Sequence, residues 1–238
     1  MKLYEYKTRD EYIQNQIERS REKSQYCKVF FGDVIRYKEL LLADKKTDAF
    51  NDRGNRALNP ILCLGVRSGA EVDIFRAVFL GPLLKTRWVQ RLAVRLDRDT
   101  EGYKKIKLAH WLGIGSGGTR DGRVVGVELA PEAERADIWI GSYDELPAGW
   151  SGRFGLIYSN SIDHSQDPEK TVAEWKRVAA PGAYALLAFT PGKKVSSHDP
   201  FGGFGLDEMK TLWNEPVVFS NAADNFVGYS EICFRLKG

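Results

Sequence analysis

The residues best placed to do chemistry gather at four points, each at the end of an apolar run. The first is Leu62-Cys-Leu-Gly-Val-Arg-Ser-Gly-Ala-Glu71. A short buried strand runs into a turn with Gly65 and Gly69, and a helix begins. Glycine lets the backbone turn sharply and approach a ligand closely, and the helix start presents free N–H groups. The second point is Glu128, which closes Val124-Val-Gly-Val-Glu128. A carboxylate at a strand end can accept hydrogen bonds from both hydroxyls of a ribose. The third is Ile140-Gly-Ser-Tyr-Asp-Glu-Leu-Pro147, whose polar side chains and amides can frame an adenine. The fourth is Tyr158-Ser-Asn-Ser-Ile-Asp-His-Ser-Gln-Asp-Pro168, which puts Asn160, Asp163 and His164 at one strand end. A loop histidine titrates near neutrality and is a candidate general base. His198, in Ser197-His-Asp-Pro-Phe-Gly-Gly203, is a second candidate.

Taken singly, these signals are weak. Strand–glycine–helix turns occur in many folds, and a strand-end acid is often only solvated. The turn is neither a P-loop nor a GxGxxG fingerprint, since Val66 and Arg67 follow Gly65. The signals gain weight together, because adjacent strand ends of an open α/β sheet border the crevice where ligands bind.

The elements that must position these residues are legible from Pro60 onward. Apolar runs at 61–65, 124–128, 136–141, 154–160, 183–189, 216–220 and 229–236 read as strands. Segments 71–79, 169–179 and 206–213 read as helices, the second stopping at Pro181-Gly182. The alternation predicts a Rossmann-like α/β fold: a mostly parallel seven-stranded sheet with helices on both faces. No helix separates the last two strands, so an antiparallel strand is expected near one edge.

Residues 1–55 read as a helical cap, with Tyr12, Ile13, Gln16 and Ile17 near i, i+4 spacing and a second periodic segment from Val29 to Leu42. The domain proper is then 56–238, with an insertion at about 80–122. That insertion carries Arg87, Arg91, Arg95, Arg98, Lys104, Lys105 and Lys107, and ends in Gly113-Ile-Gly-Ser-Gly-Gly118. It reads as an amphipathic helical stretch in which Trp88 packs inward.

Composition narrows the class. The chain has 238 residues, 43% of them hydrophobic, enough for one sizeable core. The net charge of +3 is far below that of a dedicated nucleic-acid binder. Cys27, Cys63 and Cys233 are dispersed and His numbers only three, so neither a disulfide framework nor a metal site is expected. No apolar stretch approaches the ~20 residues of a membrane span, and the first residues, MKLYEYKTRDEY, lack a signal-peptide core. These features suggest a soluble, cytoplasmic protein.

The order of motifs over residues 61–189 resembles the class I S-adenosylmethionine-dependent methyltransferases, in particular the small-molecule and glycan-directed, type 11-like group. The likeness is carried by the strand-four and following-helix segment Phe154 to Gly182, including the Pro-Gly before strand five. It implies S-adenosylmethionine as cofactor. Gly65, Arg67, Ser68 and Gly69 would line its methionine part, Glu128 would hold the ribose and Leu129 the adenine face. Ser142 and Tyr143 would lie at the adenine edge, with Asn160 and Ser161 near the sulfonium and the acceptor. His164 is the first candidate base, with Asp163 orienting it. The chain departs from the pattern at Arg67, where a small residue is commoner, and at Ser142, where an Asp is frequent. The implied activity is O- or N-methylation of a small molecule or a sugar or glycan precursor. An RNA methyltransferase using the basic insertion and a non-catalytic cofactor-binding scaffold stay open as alternatives; the oligomeric state is not implied.

Overall fold

The computed structural model describes residues 1–22, 27, 29–44, 58, 60–81, 86–98, 123–222 and 228–237. The boundary near residue 55, most of the expected insertion and its Lys104, Lys105, Lys107 and Gly113–Gly118 lie outside the described residues.

The strands are β1 (Lys2–Leu3), β2 (Ile61–Leu64), β3 (Val124–Glu128), β4 (Ile138–Ile140), β5 (Phe154–Ser159), β6 (Ala179–Phe189), β7 (Phe201–Gly202), β8 (Val217–Asn221) and β9 (Ser230–Arg235). The helices are α1 (Arg9–Glu22), α2 (Phe31–Asp44), α3 (Ala70–Leu80), α4 (Arg87–Arg98), α5 (Pro168–Val178) and α6 (Leu206–Trp213). Seven strands form one sheet in the order β4-β3-β2-β5-β6-β9-β8. Strands β2 to β6 pair in parallel. Strand β9, last in sequence, slots antiparallel between β6 and β8. This is the expected sheet with its reversed strand next to one edge.

The alternation of β2 explains how the sheet is covered. Ile61 and Cys63 enter one core with Phe31, Val34, Tyr37, Val72 and Phe75, from α2 and α3. Leu62 and Leu64 enter the other, with Trp175 of α5 and Trp213 of α6. All four β2 residues are buried, as a central parallel strand requires. The strand order changes direction between β2 and β5, and the crevice at the carboxyl ends beside such a switch is where an open α/β sheet receives ligands.

Two local expectations fail. Strand β6 starts at Ala179, not Ala183, and takes in Pro181 and Gly182. A register shift against β5 lies at that point, between Phe154 and Leu156, and an irregular strand start tolerates proline's missing N–H. Trp88 does not pack inward: it is 66% exposed, while Val89 and Ala93 face the core. Val89 and Ala93 are four residues apart on one helical stripe, and Trp88 falls beside it.

Helix α1 buries an unusual stripe: Tyr12, Gln16 and Ser20, at i, i+4 and i+8. Two of the three are polar, so this face needs hydrogen-bonding partners. The N-terminus is clasped to the loop after β6. Strand β1 pairs with β7, Tyr4 N–H donates to the Pro200 carbonyl, the Tyr6 hydroxyl donates to the Ser197 carbonyl, and Gln16 Nε2 donates to the His198 carbonyl at 3.2 Å.

Candidate active site

The glycine turn sits between β2 and α3. Gly65 and Val66 both donate to the Val127 carbonyl of β3, at 2.9 and 3.2 Å. Gly65 (φ 73°) and Gly69 (φ 83°) take left-handed conformations that glycine adopts without steric cost. A β-carbon on Gly65 would fall 2.0 Å from Ser161 Oγ. Ser161 is fixed there because its hydroxyl donates to the Leu64 carbonyl at 3.1 Å.

A buried ion network underpins the turn. Arg76 binds Asp137 at 2.7 Å, and Arg135 binds Asp73 and Asp137 at 2.7 and 2.9 Å. Arg135 Nη1 also reaches the Ser68 carbonyl at 3.4 Å. Burial pushes Asp137 up, but the Arg135 and Arg76 guanidiniums outweigh it and hold the carboxyl below its ordinary value.

Glu128 ends β3 with its side chain buried. Oε1 accepts from Ser20 Oγ at 3.0 Å, Leu129 N–H at 3.0 Å and Ala130 N–H at 3.2 Å. Oε2 accepts from Arg67 N–H at 2.7 Å. Four donors thus converge on one carboxylate, and one of them is a hydroxyl.

These groups wall an open cleft with about 450 Å³ of empty space, the solvent at its mouth included. The sheet side contributes Gly65, Arg67, Glu128, Leu129, Tyr143, Ser161 and His164. Helix α1 covers it with Tyr12, Gln16, Arg19 and Ser20. The Tyr143 hydroxyl donates to the Ser161 carbonyl at 3.2 Å, and Trp175 Nε1 donates to the Tyr143 carbonyl at 3.1 Å, which locks this wall.

A second cavity, about 340 Å³ with its mouth, is lined by Tyr37, Tyr158, Phe189, Tyr229, Asn160 and Asp163 among others. The two spaces share the segment 160–164: Ser161 and His164 face the cleft, Asn160 and Asp163 the aromatic cavity.

His164 Nδ1 lies 2.8 Å from the His198 carbonyl. A carbonyl only accepts, so Nδ1 carries the proton and Nε2 keeps a lone pair in the neutral ring. Nε2 lies 3.9 Å from Asp163 Oδ1 and 3.8 Å from Asp199 Oδ1. Burial lowers the His164 pKa, and the two carboxylates counter this only in part. Lys193 Nζ bridges the same carboxylates at 2.6 and 2.7 Å. Asp163, His164 and Asp199 lie close enough to share a cation, but the Lys193 ammonium already bridges both acids and offsets one of their two charges.

Glu71, in the first turn of α3, is 4% exposed, and its Oε2 has no hydrogen-bond partner. Asn160 Nδ2 approaches Oε1 at 3.5 Å. Burial pushes this carboxyl up to about 7.

The structure thus gathers Gly65, Arg67, Glu128, Leu129, Tyr143, Ser161 and His164 around one cleft. Asn160 and Asp163 border the neighbouring cavity. Four expected residues lie back from both. Gly69 caps α3, Ser68 gives its carbonyl to Arg135, and the Ser142 hydroxyl accepts from the Asp144 N–H at 3.2 Å. His198 contributes its backbone carbonyl to Gln16 and His164. Tyr12, Gln16, Arg19, Ser20, Glu71, Lys193 and Asp199 were not anticipated. For α1 the signal was present: Tyr12, Gln16 and Ser20 form one stripe with polar members.

No family model and no curated protein matches the chain. Solved structures do. The 1,6-didemethyltoxoflavin-N1-methyltransferase of Burkholderia thailandensis, solved with 1,6-didemethyltoxoflavin and S-adenosylhomocysteine, matches with a TM-score of 0.55 at 12% identity. The alignment covers 99% of this chain and 93% of that one. Looser matches include a Haloferax volcanii methyltransferase in complex with its Trm112 activator (TM-score 0.48, 14% identity, 97% and 100% covered). A Thermotoga maritima SAM-dependent methyltransferase scores 0.46 at 14% identity, with 94% and 98% covered. The fold is that of the class I S-adenosylmethionine-dependent methyltransferases.

Proposed function

We propose that this protein is an S-adenosylmethionine-dependent methyltransferase with a small-molecule acceptor. The observation that carries the reading is Glu128. Its buried carboxylate already binds a hydroxyl, that of Ser20, at the strand end beside the glycine turn. A ribose hydroxyl presents the same donor, and Gly65, whose missing β-carbon makes room for the Ser161 side chain, lines the same cleft. The cleft therefore suits an adenosyl ligand. Glu128 would hold the ribose, Leu129 and Tyr143 would border the adenine, and Gly65, Arg67 and Ser161 would border the methionine end. Ser68, Gly69 and Ser142 would support this wall from behind.

When bound, S-adenosylmethionine supplies an electrophilic methyl group on a sulfonium. The chain's own residues then orient and deprotonate the acceptor. Correct orientation supplies roughly 7–11 kcal/mol of such a barrier. The aromatic cavity suits a planar acceptor, because Tyr37, Tyr158, Phe189 and Tyr229 offer flat apolar walls; the flat face of a sugar would also stack there. Asn160, on the wall between cavity and cleft, would hydrogen-bond the acceptor. His164 Nε2 would take the acceptor's proton, and Asp163 and Asp199 would stabilise the imidazolium that forms. His198 holds the ring in this tautomer through its carbonyl. The three free cysteines suit a reducing, cytoplasmic setting, and among the described residues no helix is long and apolar enough to cross a membrane.

The test is transfer of labelled methyl from S-adenosylmethionine to a panel of heteroaromatic amines, phenols and nucleotide sugars. Transfer to at least one member, abolished in Glu128→Ala, is the expected result. Cofactor binding with no transfer across the panel would favour a cofactor-binding scaffold instead. One observation favours an RNA acceptor: Trp88 is exposed beside Arg87 and Arg91 on α4. Salt-dependent binding of RNA oligonucleotides, weakened in Trp88→Ala, would support that reading.

A further inference from the structure

The aromatic cavity differs in charge from the cleft beside it. Arg19, Arg67, Glu128 and His164 line the cleft, so both signs meet there. In the cavity Asp163 is the one charged lining residue, and the rest are uncharged. Four of them are aromatic: Tyr37, Tyr158, Phe189 and Tyr229. An aromatic face is electron-rich and attracts a cation, most strongly where water is excluded. Tyr37 already does this within the fold, since the Arg36 guanidinium carbon lies 4.8 Å from its ring centre. A ligand in the cavity would meet the other three rings.

The charges behind these walls have the same sign as Asp163. Lys193 Nζ is shared by Asp163 and Asp199, at 2.6 and 2.7 Å. Arg36 Nη2 is shared by Glu231 and Asp33, at 2.6 and 3.9 Å, and Glu231 accepts from the Tyr37 hydroxyl. Among the described residues these two clusters set four carboxylates against two cations, an excess of two negative charges. Asp163, Asp199 and Glu231 are buried, whereas Lys193 and Arg36 keep 28% and 40% of their side chains exposed. Water therefore screens the cations more than the acids. Glu71, which accepts from Asn160 at 3.5 Å, adds a further carboxyl and no positive charge.

We propose that the aromatic cavity selects an acceptor with a cationic nitrogen, an amine protonated at neutral pH. The inference rests on the reading of this cavity as the acceptor site and narrows it: phenols lack the charge, and nucleotide sugars carry the opposite one. Asp163 belongs to the segment 160–164 that both spaces share, so its carboxylate draws the nitrogen towards the cleft. Such an amine must shed one proton before it can react, the task given above to His164.

Three probes of nearly equal shape isolate the charge: phenethylamine, phenethyl alcohol and hydrocinnamate, which are cationic, neutral and anionic at neutral pH. Each is titrated by calorimetry into wild type, Asp163→Asn, Lys193→Met and Tyr229→Leu, with and without S-adenosylhomocysteine. The amine should bind wild type about fivefold or more tightly than the alcohol, with the anion weakest. Asp163→Asn should lose about fivefold in amine affinity, and Lys193→Met, which removes a positive charge, should gain about threefold. The alcohol should stay within about twofold in both. Tyr229→Leu, at a half-buried position, should weaken the amine about threefold and the alcohol less. Equal affinities for amine and alcohol would overturn the proposal, as would tighter binding of hydrocinnamate or an Lys193→Met variant that binds the amine less well. A wild type that binds S-adenosylhomocysteine but shows no preference for the amine overturns this proposal alone. One that shows the preference but does not bind S-adenosylhomocysteine keeps the amine site and overturns the cofactor reading.

Discussion

Ser20 Oγ donates to Glu128 Oε1 across 3.0 Å, although the two residues stand 108 positions apart. This bond ties α1 to the end of β3, where a ribose hydroxyl would otherwise be received. Ser20 and ligand therefore compete for one oxygen. In Ser20→Ala the competitor is gone, and S-adenosylhomocysteine should bind about two- to tenfold more tightly, with the free protein less stable by about 1–2 kcal/mol. Calorimetry and denaturant unfolding check the two halves. Weaker binding in the variant would mean that Ser20 itself holds the ligand.

The buried carboxyl of Glu71 makes stability depend on pH. Burial raises its pKa from 4.5 to about 7, so the folded state keeps the proton longer than the unfolded chain. The resulting stabilisation is full below pH 4.5 and is lost as pH rises to about 7; across that span it amounts to about 3 kcal/mol. Glu71→Gln keeps the neutral shape at every pH. Urea unfolding at pH 5 and pH 8 should show a smaller fall for the variant than for wild type, and a variant more stable than wild type at pH 8. Equal falls would show that Glu71 ionises normally.

The ion network under the glycine turn should be costly to break. Arg76→Met leaves Asp137 and Asp73 to Arg135 alone, in a setting where Arg76 and both acids are buried. Loss of one partner from a buried pair costs about 3–5 kcal/mol. Asp137 is held below its ordinary pKa, so its contribution is present at neutral pH and fades as the solution is acidified. Thermal melts of wild type and variant from neutral to acid pH should therefore converge.

His164 is expected to act through Nε2. Because its pKa lies below 6.5, the neutral ring is already present at neutral pH. Turnover, once an acceptor is found, should fall only as pH drops through that lowered value. His164→Gln should reduce kcat by about 10²–10⁴-fold if the acceptor is a hydroxyl that needs a base. A variant with wild-type kcat would move proton removal elsewhere.

Much of this architecture was legible in the residues. The alternation of strands and helices from Ile61 onward, and the missing helix between the last two strands, led to the observed sheet. Glu128 and Gly65 were legible because a strand end and a turn are local features. The role of α1 was not. Its stripe of Tyr12, Gln16 and Ser20 marks a helix face with polar members but not what that face meets, because its partners His164, His198 and Glu128 are 108 to 182 residues away. Lys193 and Asp199 were missed for the same reason: their meaning comes from Asp163, 30 residues from Lys193 in sequence and 2.6 Å from it in space. Trp88 misled because a large aromatic invites burial, whereas the helical stripe that buries Val89 and Ala93 passes beside it.

The most direct test of the central claim is calorimetric titration of wild type and Glu128→Ala with S-adenosylhomocysteine. The account predicts micromolar binding by wild type, weakened by about 10- to 100-fold in the variant, the loss expected when a charged hydrogen-bond acceptor is removed. No binding by wild type up to millimolar ligand, or equal binding by the two proteins, would contradict it.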